Sequence, residues 1–199
     1  MMRLFRYIKQ HFPFLWYLIE SINGIGVYIL YGNRISKAVK KYGYYKSLDG
    51  YIYRPLMKSD IPLLVDLFGS QPYKFDDYFK PHNFDAKSLY RQFSYRSFYM
   101  FGVFDGNRII GYFFIRFFIN KKAFRGKMVD YEYQRRGIAK RMGIMMTNIA
   151  LDSCFRLFAT ISRANISSIA SSKAVNSIRI IDELPDNYLY VEYTKLNDN

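Results

Sequence analysis

From about Tyr45 onward the chain alternates between short apolar, β-branched runs and stretches with apolar residues three and four apart. Tyr51-Ile-Tyr-Arg-Pro-Leu56 predicts a strand. Lys58-Ser-Asp60 then offers a cap to a helix carrying Ile61, Leu64, Val65, Leu67 and Phe68 at helical spacing. Residues 69–84 are irregular and aromatic, and a second short helix starts near Asp85 with Leu89 and Phe93 on one side. Phe98 to Phe104 predicts a strand, and Asp105-Gly106-Asn107 has the φ > 0 chemistry of a hairpin turn. Arg108 to Ile119 returns as a strand so continuously apolar that both its faces should be covered. A strand over Ala123 to Val129 follows, then a helix with Ile138, Met142, Met145, Met146 and Ile149 at helical spacing. Phe155 to Ile161 predicts a strand, Asn165 to Val175 a helix, and Ser177 to Ile181 and Tyr188 to Tyr193 two last strands. The order β-α-α-β-β-β-α-β-α-β-β places the chain in the α/β (α+β) class.

Residues 1–45 have a different texture and form a separate N-terminal helical extension, ahead of a domain at 46–199. Seven basic residues stand there against one acid, Glu20, and Phe12 to Gly32 carries no other charge. No small-x-small cleavage site follows, as a signal peptide would require. A membrane span would put Glu20, Ser21, Asn23 and two glycines near the bilayer centre, where a carboxylate alone costs about 2.5–3.5 kcal/mol. Two short helices fit better, with Leu4, Phe5, Ile8 and Phe12 on a face of the first and Phe14, Leu15, Leu18 and Ile22 on a face of the second. Those faces have three destinations: the main domain, a second copy of the chain in a homodimer, or the surface of an anionic membrane.

With 30 Lys+Arg against 16 Asp+Glu, the net charge of +14 favours an anionic partner. One cysteine, Cys154, excludes an internal disulfide, and two histidines beside it do not make a structural zinc site. A reducing, cytoplasmic setting fits, at the inner face of the membrane if the extension binds lipid. Nucleic acid is disfavoured as a partner. The basic residues are spread along the chain, and no helix-turn-helix, RNP or zinc pattern is present.

The densest chemistry lies at Gln134-Arg135-Arg136-Gly137-Ile138-Ala139-Lys140, where a strand gives way to a helix. A small-residue turn at a helix start exposes backbone N–H groups, and the helix dipole adds partial positive charge. Arg135, Arg136, Lys140 and Arg141 ring that turn with cations, so the physics predicts an anion site suited to a pyrophosphate.

The run Val129 to Ala139 resembles the acetyl-CoA signature of the GNAT family of N-acetyltransferases, Q/R-x-x-G-x-G/A behind a strand. Tyr53-Arg-Pro-Leu-Met-Lys-Ser-Asp60, Phe104 to Tyr112 and Asn165-Ile-Ser-Ser168 also stand where that family has its first turn, second hairpin and last helix start. The resemblance spans roughly residues 50–195. It implies a splayed mixed β-sheet of about six to seven strands flanked by about four helices, with the cofactor wedged between the strands at 123–129 and 155–161. It further implies that the backbone at Met128 and Val129 holds the pantetheine arm and thioester, and that the N–H groups from Gln134 to Lys140 hold the pyrophosphate. Asn165 and Ser168 would line the same groove; read by itself, Asn165 is equally a helix N-cap. Acetyl-CoA is then the donor. The acceptor is a primary amine, small or carrier-linked, with an amino sugar as one candidate, and the amine attacks directly.

The departures fall on the catalytic side. Where many family members carry a tyrosine seven residues after that asparagine, this chain has Ser172, and Asn176-Ser177 replaces the Gly-Phe that ends the helix. No acid stands within 123–129. Glu132 and Tyr131, with Asp130, Tyr133 and His82 behind them, are the remaining titratable candidates. Cys154, at a helix end with no histidine nearby in sequence, is expected to be a buried thiol rather than a nucleophile. A CoA-binding domain without catalysis stands as the alternative to an active enzyme.

Overall fold

The computed structural model describes residues 12–72, 79 and 81–196. The first predicted helix, with Leu4, Phe5 and Ile8, lies outside them. The elements are α1 Pro13–Tyr42, β1 Tyr45–Lys46, β2 Ile52–Pro55, α2 Ile61–Gly69, α3 Ala86–Ser94, β3 Phe98–Asp105, β4 Arg108–Phe117, β5 Lys122–Val129, α4 Ile138–Asp152, β6 Arg156–Ser162, α5 Ile166–Lys173, β7 Ser177–Leu184 and β8 Tyr188–Thr194. Eight strands form one sheet in the order β1-β2-β3-β4-β5-β6-β8-β7. The eighth, beyond the expected six to seven, is the two-residue β1.

Two layers of helix cover the sheet, as two apolar faces require. On one face Val27, Ile35 and Ala38 of α1 and Met142, Met146 and Ile149 of α4 pack with Phe113, Ile115 and Leu157 of the strands. On the other, Leu64 and Leu67 of α2 and Leu89 of α3 pack with Tyr112, Phe114 and Met128. The continuous apolarity of β4 has this cause: alternate residues serve two cores.

Of the expected pair of short helices only the second lies among the described residues, and it is longer than expected. It is one 30-residue helix, α1, with Pro13 in its first turn, where a missing N–H costs nothing. The polar and glycine positions that argued against a membrane span are contact points. Asn23 Nδ2 donates to the Phe117 carbonyl at 2.9 Å and its Oδ1 accepts from the Ile119 N–H at 3.2 Å. A Cβ on Gly26 would come within 2.5 Å of Ile119 Cδ1, so the glycine lets the helix cross the β4–β5 turn with the Ile119 side chain lying against it. Glu20 is buried and ion-paired with Arg116 of β4. The helix thus shares a core with the domain that follows it.

The sheet comes apart in one place. β5 and β6 run parallel and pair only at Lys122↔Arg156, Ala123↔Leu157 and Phe124↔Phe158. Beyond them β5 stays with β4 as far as Val129, while β6 stays with β8 as far as Ser162. A wedge therefore opens between the carboxyl halves of β5 and β6.

Candidate acetyl-CoA site

The turn from β5 into α4 stands at the mouth of this wedge. Asp130 is fully buried and accepts from the Glu132 N–H at 3.1 Å and from Arg108 at 2.8 Å, which fixes the single 3-10 turn Tyr131–Tyr133. Arg135 (φ 63°) and Gly137 (φ 76°) both take left-handed conformations, which turn successive N–H groups toward a common side. Gly137 is the N-cap of α4 and no side chain caps the helix. The first N–H groups of α4 thus have no intrahelical acceptor. A Cβ on Gly137 would meet no protein atom within 4 Å. Gln134, Arg135, Arg136, Gly137 and Lys140 are exposed, Ala139 is half-buried and Ile138 turns into the core. Arg136 is braced by Tyr51 Oη at 3.1 Å and the Glu132 carbonyl at 3.2 Å, and Arg141 lies over the Tyr45 ring. The arrangement is a cationic rim around a donor-lined turn, which suits a pyrophosphate.

Across the wedge, Asn165 caps α5: its Oδ1 accepts from the Ser168 N–H at 3.0 Å and from Ser167 Oγ at 3.0 Å. Its Nδ2 makes no hydrogen bond among the described residues, so capping does not exhaust the side chain. Met128 faces the α2–α3 core and half-buried Val129 the α1–α4 core, leaving their backbone beside the wedge.

Sequence reasoning missed two residues on β5. Between α4 and α5 the structure buries Arg125 and half-buries Lys127 with no carboxylate beside them among the described residues. Arg125 donates to the Gly143 carbonyl at 3.2 Å and to Thr147 Oγ1 at 3.0 Å, with its guanidinium carbon 3.4 Å from the centre of the Tyr193 ring. Lys127 Nζ donates to the Ala139 carbonyl at 2.9 Å and to Ser171 Oγ at 3.0 Å, so it links the first turn of α4 to α5. Desolvation, and secondarily the Arg125 charge, push the Lys127 ammonium down to about 7. The available signal was positional. Position 127 alternates inward on a strand beside a doubly covered β4, where a lysine head cannot simply meet solvent.

The other candidates are distributed as follows. Ser172 is buried, with Tyr193 Oη 3.5 Å away, and its carbonyl accepts from Asn176 Nδ2 at 3.1 Å. Asn176 thereby does the helix-ending work of the absent Gly-Phe. Glu132 is exposed and ion-paired with Arg108 at 2.8 Å, while Tyr131 donates to Glu132 at 3.3 Å. The Glu132 charge raises the Tyr131 phenol, which makes it a weaker acid. Tyr133 donates to Asp105 at 2.9 Å. His82 is buried on the α2–α3 face, with Nε2 2.9 Å from Tyr112 Oη and Nδ1 2.9 Å from the Asn83 carbonyl. Both ring nitrogens are thus occupied, which argues against a free base. Cys154, expected to be buried, is exposed: its left-handed backbone (φ 65°) after α4 swings the thiol outward.

No family model matches the chain, and no curated protein sequence matches it. Solved structures do match. The GNAT domain of PAT from S. lividans is 17% identical, covering 75% of this chain and 95% of that one, with a TM-score of 0.64. The ribosomal-protein-S5-alanine acetyltransferase from Vibrio fischeri is 16% identical over 78% and 97%, with a TM-score of 0.60. The aminoglycoside acetyltransferase AAC(6')-Ib, solved with coenzyme A and kanamycin, is 10% identical over 74% and 95%, with a TM-score of 0.57. The chain therefore has the fold of the GNAT N-acetyltransferases, as the run from Val129 to Ala139 implied.

Proposed function

We propose that the chain transfers an acetyl group from acetyl-CoA to a primary amine by direct attack. The observation that carries this reading is the uncapped α4 N-terminus at the mouth of the β5–β6 wedge, with Gly137 facing open space. The turn from Gln134 to Lys140 would take the pyrophosphate, the β5 backbone at Met128 and Val129 the thioester arm, and Asn165 Nδ2 a pantetheine carbonyl. As the C–N bond forms and the C–S bond breaks, the amine gives up a proton to solvent water and the departing thiolate takes one. Lys127 is assigned the second task in place of the missing tyrosine. An ammonium with a pKa of about 7 is acidic enough to protonate a thiolate, whose ordinary pKa is about 8.5. Calorimetric titration with CoA and a thiol-release assay with simple amines test the reading. No CoA binding at moderate salt overturns it.

Lys127→Met should lower kcat by about a hundredfold or more, within the roughly 10²–10⁴ range of general acid help. The wild type should lose kcat as pH rises through about 7, and the variant should lack that limb. Stability gives an independent check. The folded pKa lies below the ordinary value, so the unfolded chain binds more protons between pH 7 and 10. Wild-type stability should therefore rise across that window and the variant's should not. A pH–kcat profile unchanged in the variant removes Lys127 from the chemistry. Ser172→Ala should cost less than about tenfold, since its hydroxyl is sealed behind Tyr193.

For the location, α1 supplies a second observation. Phe14, Leu18, Ile22, Ile25 and Ile29 recur at helical spacing and are about half or more exposed, and Arg34, Lys37 and Lys40 follow on exposed turns. By length and composition Phe14–Tyr42 could cross a membrane. Spanning would strip Glu20, Asn23, Val27 and Ile35 from their protein partners, so lying flat on an anionic surface is the reading adopted. Each basic residue near such a surface contributes about 1 kcal/mol, screened by salt. The full chain should pellet with phosphatidylserine vesicles at low salt and release at high salt. Indifference to vesicles at low salt ends this reading.

A further inference from the structure

On the sheet face opposite α4 lies a cavity of about 860 Å³ whose floor is formed by β4, β5 and β6. The amino-terminal turns of α1 close one end through Trp16, Tyr17 and Glu20, and α3 supplies Arg91. At its other side stand Gly126 and Thr160, each two residues past the last β5–β6 pair, so the cavity reaches the wedge where the thioester would emerge.

Its polarity is unusual. Arg91 donates from Nη1 to Tyr17 Oη at 2.7 Å and from Nη2 to Ser88 Oγ at 3.3 Å, yet its buried Nε has no hydrogen-bond partner among the described residues. Arg116 is ion-paired with Glu20, and its buried Nε is likewise without one. Burial pushes the Arg116 guanidinium down to about 10, which still leaves it charged at neutral pH. Arg125 also borders the cavity, but its head is turned to α4 on the opposite face. Two guanidinium groups thus face one carboxylate, Glu20, among the described lining residues. Both side chains line the cavity, so their guanidinium groups present it with an excess of positive charge. The walls between are rings, Phe98, Phe114 and Phe124 among them.

We propose that this cavity is the acceptor site and that it selects an amine bearing an oxyanion, carboxylate or phosphate, on a flat ring or sugar. The oxyanion meets Arg91 and Arg116, the ring lies against the aromatic walls, and the amine points into the wedge. The assignment rests on the acetyl-transfer reading for its name as an acceptor site, but its binding chemistry is testable alone.

Trp16 is the chain's one tryptophan, so its fluorescence reports on this cavity. The full-length protein, with CoA present, is titrated with two matched pairs: O-phosphotyramine against tyramine, and 4-(aminomethyl)benzoate against benzylamine. Each probe bearing the oxyanion should bind at least tenfold more tightly than its partner amine lacking it. Arg91→Gln should erase that preference. Because Arg116→Gln alone strands Glu20, the double variant Glu20→Gln/Arg116→Gln serves as the second test, with melting curves showing that it folds. Equal affinities within both pairs, no Trp16 response to any probe, or a preference that survives both variants overturns the proposal. Failure of CoA to bind by calorimetry, with the anionic preference intact, would instead overturn acetyl transfer and leave an oxyanion site.

Discussion

Replacing Gly137 by valine is expected to weaken CoA binding at least about a hundredfold, about 2.7 kcal/mol, while the protein still melts cooperatively. The two halves of that expectation have separate origins. Gly137 sits at φ 76°, a conformation that costs an ordinary L-residue about 1–2 kcal/mol and a β-branched one more. Set against a typical total of about 5–15 kcal/mol, that strain lowers the melting temperature without abolishing folding. The added Cβ itself meets no atom of the described residues within 4 Å. A loss of affinity must then come from the volume the ligand needs and from N–H groups held away from its phosphates. Gly137→Ala should fall between wild type and valine in both readouts. Unchanged CoA affinity in Gly137→Val, measured calorimetrically on a sample with an intact melting transition, would remove the turn from the binding site.

That turn was legible because its chemistry is local: glycine and alanine at fixed offsets, a strand before and a helix after. Asp105-Gly106-Asn107 was legible for the same reason, and Gly106 does take a positive φ at that hairpin. What escaped was decided by distant contacts. The length of α1 escaped because the neighbours of Asn23, Gly24 and Gly26 are Ser97 and the 117–119 turn, some seventy to a hundred residues away. Lys127 and Arg125 read as the polar side of a strand. Their burial follows from β5 parting from β6 while α4 and α5 close over the opening, which no window of sequence contains. The acceptor cavity is harder still, since Trp16, Arg91, Arg116 and Thr160 come from four separate elements. The irregular, aromatic 69–84 segment contributes His82, Pro81 and Phe79 to that cavity; its residues 73–78 and 80 lie outside the described residues.

A chain beginning at Tyr45 is expected not to fold, and this separates a core helix from a detachable anchor. Removing α1 exposes the core positions filled by Val27, Ile35 and Ala38, all nearly or fully inaccessible to solvent. Each of the two larger side chains is worth about 1.5–3 kcal/mol of burial. Asn23 takes with it bonds to Ser97, Phe117 and Ile119, worth about 1 kcal/mol each. Loss of Glu20 leaves Arg116 buried without its carboxylate, a break that typically costs about 3–5 kcal/mol. These losses together are comparable with the whole stability of a domain this size. The truncated chain should be insoluble or lack a cooperative melting transition, and CoA should not rescue it to wild-type stability. The exposed stripe can be tested without that damage: Leu18→Gln/Ile22→Gln/Ile29→Gln changes only half-exposed or more exposed positions and should leave melting and CoA binding intact while abolishing vesicle association. A soluble, cooperatively folded Tyr45–Asn199 chain that binds CoA would show that α1 contributes nothing essential to the core.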